Sequence, residues 1–176
     1  LSEVANFWES VVDMNNWHQQ RISSLIVQKL FGTISGKKIA ILGFAFKANT
    51  NDTRESAAIQ ICKDLLEECA ELIIHDPIVN ECQIKLDLNN NTGNNTKKTN
   101  FQFASSWSFT NKLDNIFKDT HAVVILTEWE EYFNIDWLNI SKLMKKPGWV
   151  FDSRLVVNTQ KVLEANLRLW RIGDGT

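Results

Sequence analysis

The spacing of apolar side chains along this chain changes character near residue 37. Over residues 4–31 they recur every three or four positions: Val4, Phe7, Trp8, Val11 and Val12, then Ile22, Leu25, Ile26 and Leu30. That period predicts one long helix, with Gly32 standing where a helix stop is expected. A helix of this length has more apolar surface than a small domain covers. It either links two domains or packs against a partner chain, the simpler alternative being a core helix followed by a short break. From residue 37 onward the apolar residues gather in short runs. Residues 37–46 form a nearly continuous one, as expected of a strand buried on both faces. A polar loop over 47–53 leads to a predicted helix over 55–69, with Ile59, Cys62, Leu65, Leu66 and Cys69 on one stripe. Asp52 and Glu55 have the spacing of a capping box at its start. Residues 72–77 are a second strand closed by Pro77, which completes a βαβ unit.

The alternation continues. Strands are predicted over 101–103, 121–126, 148–151 and 167–172, and helices over 111–117, 130–144 and 159–165. Strands alternating with helices imply an α/β fold with a doubly wound, mostly parallel sheet, preceded by the long helix. The expected organisation is therefore a linker helix over 1–35 and one domain over 36–176. Residues 89–100 stand apart as an Asn-rich, nearly apolar-free stretch that reads as an exposed insertion.

Composition narrows the function. With 19 Lys+Arg against 21 Asp+Glu among 176 residues, the chain lacks the basic footprint of a nucleic-acid binder. No apolar run is long enough to span a bilayer, so neither nucleic acid nor membrane is an expected partner. Cys62, Cys69 and Cys82 are an odd set without disulfide or metal spacing, for which a reducing, cytoplasmic setting is the simplest reading. His75 and His121 sit singly beside strands, so packing or capping outranks metal binding. The first residue is Leu1 rather than Met, which suggests a longer parent chain.

In open parallel sheets, ligands bind at the carboxyl ends of the strands, where the strand order reverses. The first such loop holds one glycine, Gly43, and so lacks the G-x-G-x-x-G pattern that cradles a dinucleotide. It offers side chains instead. Lys47 and Arg54 could meet phosphate beside a helix N-terminus, or be solvated loop cations. Arg154, after Phe151-Asp152-Ser153, could bind the same ligand or pair with Asp152 or Glu128. Trp129 reads as packing for the crevice wall.

The string Gly43-Phe44-Ala45-Phe46-Lys47-Ala48-Asn49-Thr50-Asn51-Asp52-Thr53-Arg54-Glu55-Ser56 resembles the signature of UDP-glucose 6-dehydrogenases. The blocks His75-Asp76-Pro77, Thr127-Glu128-Trp129 and Phe151-Asp152-Ser153-Arg154 follow in the family's order, and the resemblance covers almost the whole chain. It implies the end of a central dimerisation helix followed by the Rossmann-like, UDP-sugar-binding C-terminal domain of an enzyme that oxidises UDP-glucose to UDP-glucuronate with two NAD+. By the same resemblance Phe46, Lys47 and Arg154 contact the UDP-sugar, Arg54 reaches NAD held mainly by another domain, and the enzyme is a homo-oligomer. The family's nucleophile block, G-G-S-C-F-x-K-D, is absent here, so no catalytic residue is expected in this chain. Relatives often carry a second arginine after the position of Arg154, where this sequence has Leu155. Two alternatives stay open: a sister enzyme for GDP-mannose or a UDP-amino sugar, and a stand-alone, non-catalytic nucleotide-binding module.

Overall fold

The structure, a computed structural model, describes residues 2–89 and 106–174. Six strands, β1 (Lys38–Leu42), β2 (Glu71–His75), β3 (Ser106–Thr110), β4 (Ala122–Ile125), β5 (Trp149–Asp152) and β6 (Arg168–Arg171), form one sheet in the order β3-β2-β1-β4-β5-β6. Every neighbouring pair is parallel, so the expected doubly wound α/β architecture is observed. In the central register Ile41 lies between Ile74 and Val124. From Ile39 to Leu42 and from Ala122 to Ile125 every residue is fully buried, which is why both strands read as unbroken apolar runs. Each large aliphatic side chain buried in this way contributes about 1.5–3 kcal/mol.

Among the described residues five α-helices accompany the strands: α1 (Ser2–Lys29), α2 (Ala57–Glu67), α3 (Glu81–Asn89), α4 (Trp137–Leu143) and α5 (Thr159–Glu164). The carboxyl half of α1 packs on the domain through Ile26 and Leu30, and Ser23 Oγ donates to Asp64 Oδ2 of α2 at 2.5 Å. Before Ile22 it leaves Phe7, Trp8, Val12 and Trp17 exposed. The helix ends with Phe31 and Gly32 both at positive φ, and the Gly32 N–H donates to the Val27 carbonyl at 3.0 Å. This is a Schellman-type stop in which Phe31 takes the left-handed position next to the glycine. Among the described residues no helix is long and apolar enough to cross a membrane.

Several local expectations need correction. The Asp52–Glu55 capping box does not form. Ser56 caps α2 by accepting from the Ala58 N–H, while Asp52 turns back to accept from the Arg54 N–H. Cys69 lies past the end of α2 at a positive φ and is not on the helix stripe, which leaves Cys62 as the buried thiol of that face. The helix expected over 111–117 shrinks to a 3-10 turn, Leu113–Asn115. The one expected over 130–144 divides into a 3-10 segment, Glu130–Asn134, and α4, whose start is capped by Asp136. An Asp followed by Trp137 is a competing start signal inside that stretch. Helix α3 was not anticipated; its buried residues are confined to Ile84 and Leu88. The strand expected over 101–103 and residues 90–100 of the Asn-rich stretch lie outside the described residues, and the third strand is Ser106–Thr110.

Candidate functional site at the strand ends

The sheet order reverses between β1 and β4, which pair with each other and carry β2 and β5 on their outer sides. The loops leaving β1 and β4 therefore face each other across the crevice where ligands bind in such sheets. Gly43 opens the β1 loop with φ +91°, and a Cβ there would stand 2.4 Å from Thr127 Cβ at the root of the β4 loop. Only glycine allows both that backbone and that approach.

The next three residues are pinned through their main chain. The N–H groups of Phe44 and Ala45 donate to Asp76 Oδ2 at 2.7 and 3.0 Å. The Phe44 carbonyl accepts from Ser56 Oγ at 2.8 Å, and the Ala45 carbonyl from Thr127 Oγ1 at 2.7 Å. The Phe46 N–H donates to the Asp52 carbonyl at 2.9 Å. The root of the loop is thus satisfied on every side, as a buried backbone must be. Its tip is open: the Phe46 and Lys47 side chains are exposed, and Asn49 has φ +63°.

Arg154 joins this loop from β5. Its Nε donates to the Leu126 carbonyl at 2.8 Å, and its Nη2 to the Phe46 carbonyl at 3.4 Å. Of the two ion-pair partners weighed from sequence, the structure selects Glu128, at 3.6 Å, while Asp152 accepts the Arg154 main-chain N–H. A guanidinium carries five donors, so these contacts leave others for a ligand. Phe46, Lys47 and Arg154 are thereby brought to one rim of the crevice. Arg54 is at the far end of the same loop, its side chain 88% exposed and doubly bonded through Nε and Nη2 to Asp52 at 2.9 and 2.8 Å. Those bonds hold the Asp52 carboxyl down at about 2, with Lys47 adding a smaller attraction.

Beside this cationic rim lies a cavity of about 580 Å³ lined by Ala48, Pro77 and Trp129 together with the carboxylates Glu128, Glu130 and Glu131. Burial, with the charge of Asp76 second, raises the Glu131 carboxyl above its ordinary range. A groove of this sign repels phosphate, in contrast to the rim that carries Lys47 and Arg154. His75 is buried under the cavity with Nδ1 2.9 Å from the Tyr132 hydroxyl, and burial pushes its imidazole below its ordinary value. His121 Nδ1 accepts the Lys38 N–H at 3.1 Å. Both imidazoles thus serve packing and capping, as read from sequence. Trp129 packs the crevice wall, also as read, and its indole N–H donates to Asp76 Oδ2 at 3.2 Å. The supporting roles of Asp76, Ser56 and Thr127 were not assigned from sequence. The one available signal was an acid at the end of a buried strand, directly before Pro77.

Comparison with known proteins gives the family and the fold. The pattern of the UDP-glucose/GDP-mannose dehydrogenase family, UDP binding domain, matches residues 40–159. UDP-glucose 6-dehydrogenase 2 of Arabidopsis thaliana is 40% identical over 178 residues, covering 98% of this chain and 37% of the relative. The UDP-glucose 6-dehydrogenase of Drosophila melanogaster is 40% identical over 173 residues, covering 98% and 36%. The chain thus spans little more than a third of the length of these relatives. Among solved structures, a UDP-glucose dehydrogenase from the archaeon Pyrobaculum islandicum superposes with a TM-score of 0.64 at 24% identity, covering 92% of this chain and 31% of that one. The UDP-D-ManNAc dehydrogenase of Pyrococcus horikoshii gives 0.67 at 21%, covering 93% and 32%. These two establish the fold, which is Rossmann-like. By the family pattern, which takes in the β1 loop, the β4 loop and the end of β5, this chain belongs to the UDP-glucose/GDP-mannose dehydrogenase family.

Proposed function

We propose that this chain is the nucleotide-sugar-binding part of an NAD-dependent UDP-glucose 6-dehydrogenase, an oxidoreductase that converts UDP-glucose to UDP-glucuronate with two NAD+. The observation that carries the reading is the convergence of Arg154 and the β1 loop: the guanidinium donates to the Phe46 carbonyl one residue before Lys47. In this reading the Lys47 ammonium and the open edge of Arg154 hold the diphosphate and sugar, and Phe46 supplies an apolar wall. The main chain behind them is fixed before the ligand arrives, so little ordering cost falls on binding. NAD, when bound, accepts the hydride; this chain lacks the glycine pattern for the dinucleotide and contributes Arg54, whose exposed guanidinium is held outward by Asp52. Cys62 is buried and its thiol is pushed well up, the opposite of an activated nucleophile. None of Cys62, Cys69 and Cys82 sits in a G-G-S-C-F-x-K-D block, so this reading assigns the nucleophile to another part of the enzyme. We further propose residues 1–35 as the end of a dimerisation helix whose exposed stripe, Phe7 and Trp8 included, meets a second copy, residues 36–176 as the binding domain, and the cytoplasm as the compartment.

The test is calorimetric titration of the chain with UDP and UDP-glucose, beside GDP and NAD+. Measurable uptake of the uridine ligands is expected, with NAD+ weak or silent. Lys47→Ala should weaken UDP binding about tenfold, the scale of one charge-assisted contact. Tight NAD+ binding without UDP binding, or a preference for GDP, overturns the assignment.

A further inference from the structure

We infer that Asp76 is the positioning residue of the nucleotide-sugar site, its Oδ2 holding the loops of β1 and β4 in a single arrangement. The inference rests on the reading that Phe46, Lys47 and Arg154 bind the ligand. Asp76 follows β2 directly and is 1% exposed. Its two oxygens divide their work. Oδ1 accepts from the Ile78 and Val79 N–H groups at 2.9 and 2.8 Å and closes the residue's own loop. Oδ2 accepts from the Phe44 and Ala45 N–H groups and from the Trp129 indole, at 2.7, 3.0 and 3.2 Å. One atom thus anchors the peptide units directly before Phe46 and Lys47 and, on the other side of the crevice, the indole next to Glu128, the ion partner of Arg154.

Only a carboxylate does this. All five groups are donors, and an ionised carboxylate only accepts, on both of its oxygens. An amide of the same shape must turn an NH2 toward either the Oδ1 pair or the Oδ2 trio, and at least two N–H groups then lose their acceptor. The charge has no direct cation among these contacts and is carried by oriented amide and indole dipoles, an arrangement that depends on geometry rather than on a mobile partner. Moving the Phe44–Ala45 peptides changes the direction in which Lys47 leaves the sheet and the carbonyl to which Arg154 is bonded. A displacement of about 1 Å carries such a contact beyond hydrogen-bond range.

The experiment compares the chain with Asp76→Asn, Trp129→Phe and a control, Val162→Ala, which loosens the core at α5 away from the loops. UDP affinity is measured by calorimetry, amide exchange of Phe44 to Lys47 by NMR, and the thermal midpoint for each variant. For Asp76→Asn a loss of UDP affinity of at least about tenfold is expected, with faster exchange at Phe44 and Ala45 and with Ile39 to Leu42 still protected. The control should lose thermal stability and keep its UDP affinity, which separates positioning from general loosening. Trp129→Phe, which removes one of the three donors to Oδ2, should weaken UDP binding by about threefold with the fold intact. UDP binding by Asp76→Asn equal to that of the wild type overturns the inference. Should that variant fail to fold, Trp129→Phe decides alone, and an unchanged affinity and exchange pattern there overturns it. A wild-type chain that takes up no UDP overturns the binding reading beneath it, a result distinct from either.

Discussion

Two strands on opposite sides of the crevice end in a buried aspartate, and the two residues do different work. Asp152, the last residue of β5, is fully buried, and among the described residues its carboxylate accepts only from its own loop, from the N–H groups of Arg154, Val156 and Val157. Asp76, after β2, spends one oxygen in the same local way and the other on residues 31 and 32 positions before it and 53 positions after it. The difference follows from position in the sheet. β2 borders β1, whose loop turns sharply at Gly43 and brings its amides over the end of β2. β5 borders β4, and the Ser153 hydroxyl rather than its aspartate reaches back, donating to the Ile125 carbonyl at 2.7 Å. A buried carboxylate at a strand end is therefore a cap by default and becomes a bridge where a neighbouring loop presents unpaired donors to it.

The largest effects should come from deleting these carboxylates. Asp76→Ala and Asp152→Ala each strand several buried N–H groups, and each should cost about 3 kcal/mol or more in urea-induced unfolding. Their footprints should differ. Amide exchange in Asp152→Ala should accelerate over residues 153–157 alone, whereas in Asp76→Ala exchange should accelerate at the amides of 44–45 and 78–79 and at the Trp129 indole N–H. An Asp76→Ala footprint confined to 77–79 would erase the distinction.

That contrast also marks how far the sequence could be read. The buried parallel strands were legible because β4 and all of β1 after Lys38 are apolar, and the strand-end positions of Lys47 and Arg154 followed from the same alternation. Hydrogen bonding between distant loops was not legible. Nothing local to His75-Asp76-Pro77 says that Phe44 and Ala45 lack other acceptors, since that depends on the turn at Gly43. The capping box failed for a related reason: Glu55 takes a positive φ, 59°, and Ser56 supplies the cap while its hydroxyl also bonds the Phe44 carbonyl. Helix α3 escaped because its two buried residues, Ile84 and Leu88, are too few to set a period.

A smaller effect should separate the same two strand ends by pH. His75 precedes Asp76 and is 1% exposed, and burial lowers its imidazole below 6.5. The unfolded chain then binds a proton that the folded chain resists, so stability is present above about pH 6.5 and is lost as the pH falls through the lower, folded value. Between pH 7 and 5, amide exchange around residues 74–79 should rise before that around 152–157, where no imidazole is buried. Equal responses at both ends would show that proton uptake acts elsewhere, for instance at His121, whose imidazole is also lowered.

The smallest effect concerns the third aspartate, Asp52, which shares the turn geometry but lies in the open. Its carboxylate accepts from the Arg54 N–H and guanidinium, and those bonds depress it from 3.8 to about 2. A depressed carboxyl contributes stability above its unfolded value and loses it as the pH falls through the folded one, here from about pH 4 down to about 2. Because Arg54 is solvent-exposed, water and salt screen most of the attraction. Asp52→Asn should therefore leave the urea midpoint at pH 7 nearly unchanged and flatten the acid limb of the stability curve between pH 4 and 2. A large loss at neutral pH would mean that Asp52 supports the fold as Asp76 and Asp152 do. A small loss, combined with weaker NAD+ affinity in the full-length enzyme, would identify it as the residue that aims Arg54.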